Sequence, residues 1–175
     1  AGDLPQGESV HALAAQDENG APITSPALTR LRVGPQGAVT EAPAIAQFGD
    51  VARLSAYEAR LSGDLLHVTL NWLALKPAPN DMKVFVHAVD ASGRIIAQSD
   101  IVPDEGWFPM PYWQAGDRIN DQVMLQLPAG DANSQITLMV GVYNASTGER
   151  LAAGAVDGQP VGARIADNAL ALPLP

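Results

Sequence analysis

The chain has 175 residues, 47% of them apolar, which is enough to bury the core of one domain and too apolar for a disordered segment. Its 19 acidic and 10 basic side chains give a net charge of −9, which argues against nucleic acid and anionic lipid surfaces as partners. Cysteine is absent, which excludes disulfides and thiolate zinc sites, and no apolar run reaches the ~20 residues of a membrane span, so direct membrane insertion is not expected.

Residues 1–45 are predicted to form a loop-rich arm or connector, because they are rich in Gly, Pro and small polar residues. Only "ALTRLRVG", residues 27–34, alternates as an edge strand does. The regular domain is expected to span residues 46–175. Because the chain begins at Ala1 without Met, we expect a processed or excised fragment that a signal or membrane segment once preceded.

From residue 46 onward, short apolar runs alternate with turn signals. In "DLLHVTLNWLAL" every second residue from Leu66 to Trp72 is apolar, and this period of two predicts a half-buried strand. "VARLSAYEARL" is also predicted to be a strand. The pattern predicts an all-β antiparallel sandwich of about seven to nine strands, immunoglobulin-like, with a jelly roll as the alternative. Nine side chains are expected in its core: Val68, Leu70, Trp72, Phe85, Val123, Leu125, Leu138, Val140 and Val142.

Two glycine-containing turns predict how neighbouring strands pair. "VDASGRI" and "YNASTGERL" each place Gly where a hairpin loop needs a residue in the left-handed conformation. The predicted pairs are Val89–Ile95 and His87–Ala97 in the first hairpin and Tyr143–Leu151 in the second.

The segment "DEGWFPMPYWQAGD", residues 104–117, holds four of the nine aromatic side chains. Loops on rigid sandwiches commonly carry recognition, and aromatic faces stack on sugars or on protein partners. We expect Tyr112 and Trp113 to pack into the end of the sandwich, and Trp107 and Phe108 to be exposed. The candidate ligand-binding residues are Trp107, Phe108, Tyr112 and His87.

His87 is predicted to lie on a largely apolar face, where a lone histidine is more often hydrogen-bonded in the core than a general base. A hydrolase that uses His87 with Asp100 or Asp104 is the least favoured hypothesis, because no Gly-x-Ser-x-Gly elbow surrounds any serine. No catalytic residue is therefore assigned, and the chain itself is not expected to be an enzyme.

Three carboxylates, Asp100, Asp104 and Glu105, are candidate calcium ligands. Calcium takes six to eight oxygen ligands, which the loops of a sandwich can supply. The DxDxDG spacing is missing, and the three histidines are too scattered in the sequence to suggest zinc. Apart from this calcium hypothesis, no cofactor is expected.

Five segments together resemble a recurrent bacterial module: "FGDVARLSAYEARL", "LHVTLNWLAL", "KVFVHAVDASGRIIAQSDIVP", "YWQAGDRINDQVMLQLP" and "LMVGVYNASTGERL". The module is the extracytoplasmic β-sandwich at the C-terminal end of polytopic membrane proteins of the dolichyl-phosphate-mannose mannosyltransferase-like type, common in Chloroflexi-like bacteria. The resemblance covers residues 46–152 and implies an extracytoplasmic location, with the chain tethered through an upstream membrane region. It also implies a non-catalytic accessory role, although the parent protein is of the glycosyltransferase type.

Two roles are expected for such a module. The first is binding of a glycan or a protein partner through residues 104–117, here called the aromatic loop. The alternative is a structural spacer of the membrane protein, with no ligand of its own.

Overall fold

The computed structural model describes residues 9–11, 30–32, 44–79, 81–130, 135–156 and 160–174. Two short strands, Ser9–His11 (β1) and Arg30–Arg32 (β2), pair antiparallel as a ribbon of their own. The strand expected in "ALTRLRVG" is therefore present, with β1 as its partner. The rest of the predicted arm lies outside the described residues.

The other ten strands form two five-stranded sheets, all of whose neighbouring strands run antiparallel. Sheet one consists of Ala46–Phe48 (β3), Ala52–Ser62 (β4), Leu65–Ala74 (β5), Arg118–Gln126 (β8) and Ala153–Ala155 (β10), in the spatial order β10-β3-β4-β5-β8. Sheet two consists of Met82–Val89 (β6), Ile95–Ile101 (β7), Thr137–Asn144 (β9), Arg164–Ala166 (β11) and Ala169–Pro173 (β12), in the order β11-β12-β9-β6-β7.

The prediction of an all-β sandwich is confirmed, with ten strands in the described part of the two sheets rather than seven to nine. Three of these strands, β3, β10 and β11, have only three residues each, too few to show a period of two in the sequence. The described helices are two single 3-10 turns, Asp104–Gly106 and Met110–Tyr112. In the described residues, no helix is long and apolar enough to cross a membrane.

The core lies between the two sheets and is filled mainly by aliphatic side chains. Eight of the nine residues expected there belong to it, and the exception is Phe85. On β6 the inner positions are taken by alternate residues, including Val84 and Val86, so Phe85 between them points to the outer face of sheet two.

Phe85 is nevertheless only 2% exposed, because the outer face has its own small packing arrangement. Its ring lies over Gly141, the residue opposite it on β9, and a Cβ atom built at position 141 would fall 2.2 Å from Phe85 Cζ. The Arg150 guanidinium covers the ring at 4.6 Å from its centroid. Arg150 is held there by Asp167, whose carboxylate oxygen accepts from Nη1 at 2.6 Å.

The two predicted hairpins form, each with a shift of one residue in part of its register. Val89 pairs with Ile95 as predicted, but Ile96 forms a bulge, so His87 lies opposite Gln98 rather than Ala97. In the second hairpin Tyr143 pairs with Arg150 rather than Leu151. The second loop is one residue shorter than predicted, because the Asn144 N–H donates to the carbonyl oxygen of Glu149 at 2.8 Å.

Gly141→Ala should destabilise the sandwich by about 1–3 kcal/mol, the usual cost of an oversized side chain in a packed site. The new methyl group would occupy the space of the Phe85 ring and would also approach the Asn168 carbonyl oxygen at 3.2 Å. Chemical denaturation of the purified domain measures the loss.

The matched control is Gly154→Ala, also in a strand, where the nearest atom to an added Cβ is the Gln47 carbonyl oxygen at 3.9 Å. This variant should unfold close to wild type. Equal stability of the two variants would contradict the packing of Phe85 on Gly141.

Candidate functional site: the aromatic loop and its groove

The loop between β7 and β8 carries the chain from sheet two to sheet one. Three of its side chains, Phe108, Met110 and Trp113, belong to the core between the sheets. The Trp113 indole N–H donates to the Phe108 carbonyl oxygen at 2.8 Å, a bond buried inside the loop. The loop therefore closes part of the core with its own apolar side chains.

The exposure of the four aromatic residues matches the expectation for two of them and contradicts it for the other two. Trp113 is fully buried and Trp107 is 56% exposed, as predicted. Phe108, expected at the surface, is 5% exposed, whereas Tyr112, expected in the core, is 64% exposed.

The 3-10 turn at Met110–Tyr112 explains the exposure of Tyr112. In such a turn side chains three residues apart lie on the same side, so Met110 and Trp113 both face the core. Tyr112 lies off that side and points to solvent. The backbone N–H of Trp113 donates to the Met110 carbonyl oxygen at 3.1 Å and closes the turn.

Tyr112 lines a groove of about 470 Å³, within the range of small-molecule sites. One side of the groove comes from the aromatic loop and the other from the start of β6 and its surroundings. The lining residues are Asp81, Met82, Lys83, Val102, Pro109, Pro111, Tyr112 and Ala145. An exposed aromatic ring and two charged side chains thus share one concave surface.

The Asp81 carboxylate is held in place at the groove. It accepts a hydrogen bond from Ser146 Oγ at 2.8 Å, and the Asp81 carbonyl oxygen accepts one from the Ala145 N–H, also at 2.8 Å. Its backbone has the left-handed φ of 65°, which aspartate tolerates better than most residues. Its position is therefore set by the β9–β10 connection as well as by β6.

Lys83 points to the outer face of sheet two and pairs with Tyr143 on β9. Among the described residues, its ammonium group forms no ion pair and no hydrogen bond. The groove therefore contains the Asp81 carboxylate, held by Ser146, and the Lys83 ammonium group, which pairs with no other described residue.

His87 lies on the outer face of sheet two and not on the apolar inner face expected for it, because Val86 and Ala88 take the inner positions. Its ring is half-buried beside Phe85, with ring centroids 4.8 Å apart. Burial lowers the pKa of His87, against an opposing effect of the nearby Asp100 carboxylate. Within the described part of the chain no hydroxyl group is hydrogen-bonded to the imidazole, the contact from which a nucleophile–base pair is recognised.

The structure does not bring the three candidate calcium ligands together as one site. Asp100 lies on β7 opposite the outward-facing Phe85, where its carboxylate and burial together raise the pKa of Tyr143, burial having the larger effect. Asp104 and Glu105 belong to the 3-10 turn that follows β7. The backbone N–H of Asp104 donates to the buried Asp121 carboxylate. No group of three or more His, Asp or Glu side chains arranged to hold a metal ion occurs among the described residues.

Asp121 is a carboxylate whose burial was not predicted from the sequence. It is 1% exposed on the inner face of β8, and its Oδ1 accepts the backbone N–H of Asp104, the first residue of the 3-10 turn. The sequence signal was present, since in "RINDQVMLQ" Asp121 is in phase with the apolar residues Ile119, Val123 and Leu125.

Burial raises the pKa of Asp121 to about 6, and the neighbouring Asp104 carboxylate adds to this effect. The Asp104 N–H and the indole of Trp72 act in the opposite direction. Trp72 Nε1 and Asp121 Oδ2 are nevertheless both buried without a partner at hydrogen-bonding geometry, so the indole stabilises the carboxylate only by proximity.

Comparison with protein-family models, with curated proteins and with solved structures found no match to this chain. The candidate site is therefore defined by its own geometry. Its parts are the exposed ring of Tyr112, Pro109 before the turn and Pro111 within it, and the charged residues Asp81, just before β6, and Lys83, on β6.

The protein should be more stable at about pH 5 than at about pH 8 through Asp121, by about 1.4 kcal/mol. The folded-state pKa of about 6 lies above the usual 3.8, so the folded chain holds a proton that the unfolded chain has released, and this stabilisation is lost as the pH rises through 6. Urea denaturation of wild type and Asp121→Asn across this range measures the difference, which the variant should lack.

The comparison with Asp121→Asn is needed because His87 has the opposite effect on the pH dependence of stability. Its pKa is lowered in the folded chain, so its contribution to stability falls as the pH falls. Glu149→Gln, an exposed acid on the hairpin loop, is the control and should keep the wild-type pH profile. An identical pH dependence in Asp121→Asn and wild type would show that Asp121 is not the group responsible.

Proposed function

We propose that the chain is a non-catalytic binding module that binds a glycan in the groove beside the aromatic loop. The observation that carries the proposal is the placement of Tyr112, which is 64% exposed and lines the groove, while Met110 and Trp113 on either side are buried. A ring presented in this way offers a flat apolar surface at a defined position.

The physical advantage of this arrangement is that little remains to be ordered on binding. Tyrosine and tryptophan supply a large contact area with only two side-chain torsions each. Pro109 and Pro111 restrict the backbone around Tyr112, and the core anchors of the loop restrict it further. A sugar ring that stacks on Tyr112 would therefore gain contact area at a small entropic cost.

We also propose the setting that the resemblance over residues 46–152 implies. In this setting the module is extracytoplasmic, tethered through an upstream membrane region to a polytopic protein of the glycosyltransferase type. A glycan ligand fits this setting, because a protein of the glycosyltransferase type acts on sugars.

A protein partner is the second candidate, and the observation in its favour is Trp107. It is 56% exposed on the same loop but does not line the groove, so the loop presents a second exposed aromatic side chain outside it. Tryptophan and tyrosine are enriched among the residues that dominate protein interfaces.

Tyr112→Ala should abolish binding of the domain to a glycan array, because the variant removes the stacking surface and leaves the buried part of the loop intact. The melting temperature should stay close to that of wild type, since Tyr112 is mostly exposed. Array binding and thermal unfolding of the same preparations provide both measurements.

Met124→Ala is the matched control, since Met124 is 66% exposed on the other sheet. It should bind as wild type does. Trp107→Ala separates the two candidates: loss of glycan binding in this variant alone would place the sugar outside the groove. A well-folded wild-type domain that binds no glycan would contradict the proposal and favour a protein partner or a structural spacer.

A further inference from the structure

The two charged side chains of the groove have opposite signs and stand two positions apart at the start of β6. Asp81 offers carboxylate oxygens that can accept hydrogen bonds, and Lys83 offers three N–H donors. Sugar hydroxyl groups both donate and accept, so neighbouring hydroxyls on one ring can satisfy both residues. A charged group of a ligand, by contrast, can pair favourably with only one of them.

The electrostatic surroundings act against an anionic ligand in particular. The Asp81 carboxylate accepts a hydrogen bond from Ser146 Oγ, which favours its position beside the groove. On β7, Asp100 adds to the effect of burial in raising the pKa of Tyr143, the residue opposite Lys83 on β9. The whole chain carries a charge of −9. The Asp81 carboxylate in the same groove and the negative charge of the chain therefore disfavour a carboxylate or phosphate of the ligand.

A cationic ligand is disfavoured for the complementary reason. The Lys83 ammonium lies in the groove lining and has no carboxylate partner within the described residues that would neutralise it. Any cation placed near Asp81 would also lie near this charge. The ligand chemistry that fits both residues is therefore uncharged and rich in hydroxyl groups.

We propose that the groove selects uncharged sugars, with Asp81 and Lys83 reading neighbouring hydroxyl groups of a ring that stacks on Tyr112. The inference rests on the proposed glycan-binding function and adds the class of sugar and the residues that select it. Stacking on Tyr112 provides contact area without reading the configuration of the ring, whereas the two polar residues discriminate between epimers. A polar group that the ligand covers but does not pair with loses its hydrogen bonds to water, so the wrong epimer binds more weakly.

The test uses isothermal titration calorimetry with defined probes: oligosaccharides of mannose, glucose and galactose, and the matching oligomers of their uronic acids. Wild type should bind one of the neutral series more tightly than the other two and more tightly than its uronic acid counterpart. The affinity for the neutral probe should change little between low and high NaCl concentrations, because no net charge is neutralised.

Asp81→Asn and Lys83→Met should each lower the affinity for the preferred neutral probe on the order of tenfold, the effect of one hydrogen bond to a charged group. Asparagine keeps the shape of Asp81 and also tolerates its left-handed backbone, so this variant should fold. Arg118→Met, an exposed cation on β8, is the matched control for Lys83→Met and should leave the affinity unchanged.

Each outcome separates this inference from the proposed function beneath it. Tighter binding of a uronic acid oligomer that is lost in Tyr112→Ala would overturn the selection of uncharged sugars and leave the glycan-binding function standing. Unchanged affinity in both Asp81→Asn and Lys83→Met would do the same. Failure of wild type to bind any of the probes would overturn the function and the inference together.

Discussion

The burial of the Trp113 indole at the crossing between the two sheets is the interaction on which the candidate site depends. The chain must leave sheet two after β7 and enter sheet one at β8, where the core between the sheets would otherwise be open to water. Trp113 fills this position and pairs its N–H with the Phe108 carbonyl oxygen, so no polar group of the indole is left unsatisfied. The rest of the loop is positioned relative to this anchor.

A second constraint holds the start of the same loop. Asp121 occupies an inner position of β8 that an apolar residue would normally fill, and it binds the Asp104 N–H there. Asp104 and Glu105 both adopt left-handed backbone conformations, each at a cost of roughly 1–2 kcal/mol. A buried carboxylate and a strained turn are both unfavourable alone, and here they support one another at the base of the aromatic loop.

The strands could be predicted from the sequence because a period of two is a local property. From Leu66 to Trp72 the apolar residues fall on one face only, and the structure places that face in the core. In "MKVFVHAV" apolar residues occur on both faces, so the period alone does not show which face is the inner one. Burial of Phe85 on the outer face depends on Gly141 and Arg150, which come from distant parts of the chain.

Register was predictable to within one residue, and the residual error also has a physical cause. A bulge such as the one at Ile96 adds one unpaired residue to the strand and increases the local twist, and a turn motif does not encode it. The phase change between Leu54 and Ala56 on β4 has the same origin. Each of these shifts reassigns the faces of the residues beyond it, which is why His87 lies opposite Gln98.

The aromatic loop was the least predictable part, because a segment with two prolines and two single-turn helices has no constant period. Its outcome follows from the spacing of three residues in the turn, which places Met110 and Trp113 on the side that faces the core. This geometry requires only that position 112 be exposed, and any polar residue would meet that requirement. The packing of the loop does not require a tyrosine there. Because Tyr112 lines a groove together with Asp81 and Lys83 without being needed for packing, the groove is a candidate functional site.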